Sequence, residues 1–229
     1  MRVTAFPEVP QSKMPGWKDL IGTEPQERRE TPAAQVIAEG GPYLDALFEV
    51  IRTANSVEWR LRAPPSKGQP MGRFADRAPP FIDACKNWLS LLPSVVRVAF
   101  GAMLQTRFQN EEAARASMKE HVKDVTFDGL SMMDFVYRSN RPRTLVSLPD
   151  VRANRLSTFA AEQRTFMSLD VSLQSGRAPA SSTHWVGLLE LDINTVQTHH
   201  KRIPANKLKP LVQELFEMGT AIAAKGTQA

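Results

Sequence analysis

Six arginines lie between positions 138 and 164, namely Arg138, Arg141, Arg143, Arg152, Arg155 and Arg164, against two acids, Asp150 and Glu162. A guanidinium is a planar fork of donors that fits a phosphate or carboxylate with two parallel hydrogen bonds, so a run of them points to recognition of an anion. Tyr137 and Phe159 sit within or beside the run and could stack on a bound group. The set proposed for anion or partner contact is therefore Arg138, Arg141, Arg143, Arg152 and Arg155 with Tyr137. The competing reading is a solvated strand–turn surface whose arginines are spent on local ion pairs.

Other chemistry-bearing groups carry less. His199 and His200 are adjacent, and neighbours on an extended chain point to opposite sides, so with Lys201 and Arg202 they read as a solvated basic loop. No HExxH is present, and His121 and His184 lack ligand spacing around them. Glu190 and Asp192, two apart on a strand pattern, could share a divalent cation with Asp170. The alternation with Leu189, Leu191 and Ile193 argues instead that the two carboxylates face solvent. Asp150 after Pro149, followed by Glu162-Gln-Arg164, faintly resembles the acid, acid-x-base layout of metal-dependent nucleases. Its basic position is an arginine, which cannot give up its proton to serve as a base. Cys85 is the only cysteine, which excludes an intramolecular disulfide and a multi-cysteine zinc site, and its helix spacing places it on an apolar face. Glycine-rich phosphate loops, GxSxG elbows and dinucleotide fingerprints are absent. No catalytic residue, metal site or cofactor is assigned.

These residues sit in a chain of 229 residues with 42% hydrophobic and 23% charged content and a net charge of +5, ordinary globular values with a mild basic excess. The first eighty residues are nearly balanced, so the excess lies in the second half. The opening stretch has two early prolines and no apolar core of the kind a secretory signal needs, and no apolar run approaches a membrane span, which predicts a cytoplasmic protein.

Hydrophobic periodicity sets the expected elements. Residues 1–30, with Pro7, Pro10, Pro15 and Pro25, read as an extended proline-rich arm. Thr31-Pro32 opens a short helix stopped at Gly40-Gly41, and Leu44, Leu47, Phe48 and Ile51 continue at helical spacing to about Ala54. Val57, Trp59 and Leu61 mark a strand, 63–80 a long loop, and 81–92 a helix with Ile82, Cys85, Leu89 and Leu92 inward and Trp88 at its flank. A strand over 95–108 follows, then a helix capped by Asn110 with Glu111 and Glu112 in its first turn. Strands are expected around Met133, Phe135 and Tyr137, over 166–173 and over 185–193, with a brief pairing of Leu145 to Leu148 and a polar loop over 174–183; a strand over 154–160 would set Asn154 and Leu156 on one face and Arg155 and Ser157 on the other. Leu208, Leu211, Val212, Leu215 and Ile222 build a last helix ending near Gly226. Consecutive late strands without intervening helices predict an α+β fold, mainly an antiparallel sheet with helices packed on one face. The expected division is the arm, 1–30, and one α+β domain, 31–229, within which 31–93 and 94–229 are candidate halves.

The segment Gly187-Leu-Leu-Glu-Leu-Asp-Ile-Asn194, then Ile203-Pro204 and a helix over 207–225, resembles the close of a sporadically distributed, uncharacterised bacterial family of α+β proteins. That family ends in an apolar-Asp-apolar strand, a loop and an amphipathic helix. Arg97-Val-Ala-Phe-Gly101, Asn140-Arg-Pro-Arg143 and Pro15-Gly16-Trp17 are also similar, so the resemblance covers about 95–225 and touches the N-terminal half. It implies an α+β fold of two related halves and brings no catalytic residue with it. The function expected from all of this is a non-enzymatic binding or accessory protein acting through a macromolecular partner, a protein rather than a membrane. The alternative is a nucleic-acid-binding or metal-dependent nucleic-acid-processing protein that uses the arginine-rich segment 138–164.

Overall fold

The computed structural model describes residues 1–64, 71–92, 94–126, 135–168, 180–196 and 201–229. The elements in chain order are β1 (Arg2–Pro7), α1 (Trp17–Ile21), β2 (Glu27–Thr31), β3 (Val36–Tyr43), β4 (Ala46–Arg52), β5 (Val57–Arg62), α2 (Phe74–Leu89), β6 (Val95–Phe108), α3 (Glu111–His121), β7 (Phe135–Asn140), β8 (Arg143–Thr144), β9 (Arg152–Ser168), β10 (Ala180–Thr195) and α4 (Ala205–Lys225). The ten strands form one large antiparallel sheet in the order β2-β3-β4-β5-β1-β6-β10-β9-β7, with β8 also paired to β9. This is the expected α+β class. No described helix is long and apolar enough to cross a membrane.

The chain forms two compact units that interleave along the sequence, the first from residues 1–102, 140–156 and 191–220, the second from 103–139, 157–190 and 221–229. Neither boundary set follows a division at 93/94.

Two expectations for the N-terminal part are corrected. Residues 1–30 are not a draped arm: β1 lies inside the sheet, antiparallel to β5 on one side and β6 on the other. Val3 and Ala5 are fully buried there. The prolines misled because Pro7 closes the strand, where the register shifts between Phe6 and Pro7, and the others follow it. Thr31-Pro32 opens only a single 3-10 turn, Pro32–Ala34, and the rest of 31–54 is not helical but a meander in which β3 pairs with β2 and β4. Ala46, Phe48 and Val50 are buried at a spacing of two, and this period outweighs the coincidental helical spacing of Leu44, Leu47 and Ile51. Leu44 and Asp45 make the two-residue turn between β3 and β4 with φ of 51° and 54°, the left-handed pair that matches strand twist. Gly41 does not stop a helix; a Cβ there would come within 2.9 Å of the Trp17 ring, so its lack of one lets α1 lie close on β3.

In the first unit the helices cover one face. Phe48 stacks on Trp88 at 4.9 Å and meets Trp17 at 5.5 Å, while Trp59 lies 5.7 Å from Trp88. Trp88 is thus part of the core and not at the helix flank. Each such buried aromatic or aliphatic side chain contributes on the order of 1.5–3 kcal/mol. α2 begins at Phe74, so Pro79 and Pro80 lie within it and 74–80, expected as loop, is helical. Contacts of Phe74 with Phe100 and Phe216 hold that first turn despite the two missing N–H groups. The opposite face carries Arg2, Glu49, Glu58, Arg60 and Arg97, as the pairings of Arg2 with Arg60 and of Glu49 with Arg60 require.

In the second unit, α3 starts at the expected cap: Asn110 Oδ1 accepts the Ala113 N–H at 2.9 Å. Met118 packs where Gly187 leaves room on β10, and Gly226, at φ 62°, ends α4 against the His121 carbonyl.

Candidate partner-binding site

β9 runs as one strand from Arg152 to Ser168, through 154–160 and into 166–173, of which 169–173 fall outside the described residues. Its alternation buries Ala153 and Arg155 and leaves Arg152 exposed. That is the expected partition, with Asn154 and Leu156 on one face and Arg155 and Ser157 on the other. Arg143 of β8 pairs with Ala153, and the N–H of Arg141 donates to the Arg155 carbonyl at 3.2 Å. The same register sets Arg141 abreast of Arg155. The Arg155 N–H donates to Asn140 Oδ1 at 3.1 Å, and Asn140 Nδ2 donates to Asn154 Oδ1 at 3.3 Å, which ties the strand ends together.

Like charges facing each other across a strand pair oppose folding. Here the second cation is also withdrawn from water: Arg155 is only 8% exposed. Burial pushes its guanidinium pKa down, and the charges of Arg143 and Arg141 push it further. Three of the six arginines therefore converge in the first unit.

Beside them a turn is locked from α4. Glu214 accepts the N–H of Val146 at 2.7 Å, the N–H of Ser147 at 2.8 Å and the Ser147 hydroxyl at 2.6 Å. Leu145 is buried beneath, and its N–H donates to the Val151 carbonyl at 3.0 Å. Residues 145–148 thus form a braced turn rather than a brief strand pairing. Its tip is Val146, 79% exposed and the most exposed large apolar side chain among the described residues. Desolvation pushes the Glu214 carboxyl up, but the Ser147 and Val146 donors and the charge of Arg143 outweigh it and hold the pKa below its ordinary value. A depressed carboxyl stabilises the fold above its unfolded pKa and loses that contribution as pH falls through the folded one. Glu214→Gln should therefore cost about 1 kcal/mol near neutral pH, after discounting for solvent screening, and almost nothing in acid. Urea midpoints of both proteins across the acid range check it.

The remaining expected residues lie elsewhere. Arg138 is exposed and Tyr137 half-buried on β7, both in the second unit. Arg164 pairs with Glu162, and Asp150 is exposed. Phe159 is fully buried, 6.3 Å from the His121 ring, so it is a core residue and not a stacking platform. Glu190 is exposed, whereas Asp192 accepts from Asn194 Nδ2 at 3.0 Å and acts on Arg97. Asp170, His199 and His200 fall outside the described residues, and among those described no group of three His, Cys, Asp or Glu is placed to hold a metal ion. Cys85 is buried, and desolvation raises its thiol well above the ordinary value, as suits an inert core cysteine.

Two polar arrangements of the first unit had no signal in the sequence, because each gathers residues from several strands. On the face away from the helices, Glu49 is shared by Arg29 at 3.0 Å, Arg62 at 3.0 Å and Arg60 at 4.0 Å, and Glu58 holds Arg60 at 2.5 Å. A row of side chains also crosses four strands: Arg97 donates to Asn194 Oδ1 at 3.2 Å, as does Asn154 at 3.3 Å, and Asn140 joins through Asn154. No family model, no curated protein and no solved structure matches the chain.

Proposed function

We propose that the chain is a non-enzymatic binding protein that acts through a macromolecular partner, gripping an anionic group of that partner with Arg141, Arg143 and Arg155. One observation carries this reading: strand register sets Arg141, Arg143 and Arg155 on one face at one corner of the first unit, and the charges of the first two act on the third. A bound anion would meet these groups with charge-assisted, two-pronged hydrogen bonds. Glu214, the acid on which Arg143 acts, already accepts three hydrogen bonds from the adjoining turn.

A protein partner is favoured over nucleic acid by the charge pattern. Elsewhere in this unit Arg29, Arg60 and Arg62 are interleaved with Glu49 and Glu58, so these three do not add to a continuous basic track of the kind a polyanion follows. The test is affinity isolation of the tagged chain from its source organism, beside the Arg141→Ser, Arg143→Ser double variant. A stoichiometric protein retained by the parent chain and lost by an equally stable variant is the expected result. Retention by both overturns the reading. So does recovery of nucleic acid alone with a steep loss of binding in salt, or substrate turnover that the variant leaves unchanged.

A further inference from the structure

We infer that the partner element gripped at this corner is an acidic stretch of protein that carries an apolar side chain, and that this side chain covers Val146. The inference rests on the binding role proposed for the arginines and adds the chemistry of what they bind. Its basis is that two unlike features share one place. Arg143, exposed on β8, stands three residues before Val146, and the Glu214 carboxylate that takes the N–H groups of the turn also feels the Arg143 charge, so a positive group and an exposed apolar tip lie close together in the chain.

The tip is exposed by construction. Leu145 and Val151 are buried on either side of it, and Glu214 takes both N–H groups of the turn, so Val146 has no route inward. A turn braced in this way loses little conformational freedom when something docks on it, and that saving appears as affinity. Arginine is enriched at the hot spots of protein interfaces, and an apolar contact beside it excludes water from the charged pair. Nucleic acid offers phosphates for the arginines but gives Val146 little apolar surface to bury. A wholly acidic peptide would satisfy the arginines and leave Val146 in water. Both charge and apolar cover are needed, and a protein segment with acidic and apolar residues supplies them together.

The probe is a short fluorescent peptide of alternating glutamate and leucine, titrated against the full chain by anisotropy. Three controls accompany it: the same peptide with glutamine for glutamate, the same peptide with serine for leucine, and an oligothymidylate of equal charge. The glutamate–leucine peptide should bind saturably, and each control should bind at least about tenfold more weakly. Val146→Asp should lose at least about tenfold in affinity for that peptide with an unchanged melting temperature, since the side chain is exposed and its backbone bonds are kept. Oligothymidylate binding tighter than the peptide, no saturable peptide binding, or equal affinity of Val146→Asp and the parent chain would each overturn the inference. The underlying arginine role is read separately. If Arg143→Ser abolishes binding while Val146→Asp and the serine-for-leucine peptide change nothing, the anion grip stands and the apolar contact fails. If neither substitution matters, both fail.

Discussion

Replacing Arg155 by methionine should weaken binding of an anionic partner by about thirtyfold while making the free protein more stable. Methionine keeps most of the stem that packs beside Ala153 and removes the charge. In the free protein burial and the neighbouring charges of Arg141 and Arg143 both act against that charge. Exchange of a buried charge for an apolar side chain of similar volume is often neutral or stabilising, and here the gain expected is about 1 kcal/mol. Binding moves the other way, since a buried guanidinium aimed at a partner's carboxylate loses on the order of 2 kcal/mol or more when truncated. Urea denaturation and peptide anisotropy on the same preparations give both numbers. A purely architectural arginine would lose stability and leave binding unaffected beyond that, so the opposite signs separate the two roles. Arg155→Lys refines the result: it keeps the charge without the planar fork, so it should retain the destabilisation and recover only part of the affinity. Residues selected for recognition commonly sit at such a stability cost.

What the sequence reveals depends on how local the deciding contacts are. β5, β6, α3 and α4 could be read directly, because each declares itself within its own span: Val57, Trp59 and Leu61 alternate, Asn110 caps, and Leu208 to Ile222 repeat at helical spacing. The region before residue 54 could not. Its strands are short, β2 is exposed along its whole length, and β1 is defined by pairing with β5 and β6, more than fifty residues downstream. Prolines and glycines there read as breaks, whereas Gly41 marks a close approach and Pro7 a strand end. The arginine corner was half visible. Composition flagged the run, and strand parity separated Arg155 from Asn154, but only the β8–β9 register brings Arg141, Arg143 and Arg155 together and excludes Phe159. Val146 and Glu214 carried no signal at all. They lie 68 residues apart, and nothing local to α4 distinguishes Glu214 from any other acid on a solvated helix face.

The largest stability effect is expected at Glu39, inside the stretch whose sequence reads as helical. Glu39 is buried on β3, where its carboxylate takes the Trp17 N–H at 2.9 Å, Arg28 at 3.0 Å and Arg52 at 3.1 Å. Arg52 is itself only 12% exposed along its side chain, and beyond Glu39 its guanidinium donates to the Met14 carbonyl at 3.3 Å. Removing one member of a buried ion pair leaves the other charge desolvated, which costs about 3–5 kcal/mol, far more than the intact pair contributes. Glu39→Ala should fall in that range and should also release α1, because the first N–H of that helix loses its acceptor and Gly16 no longer closes on the carboxylate. Trp17 then leaves its contact with Phe48, so a red-shifted tryptophan emission should accompany the lower urea midpoint. Glu39→Gln separates charge from hydrogen bonding: its amide oxygen can still accept the Trp17 N–H, so the emission should stay near that of the parent while most of the stability loss remains. Equal emission shifts in the two variants would mean that the charge on Arg52, and not the acceptor for Trp17, holds α1 in place. The arginine corner makes none of these contacts, so peptide affinity measured well below the unfolding midpoint should be the same in Glu39→Gln as in the parent chain.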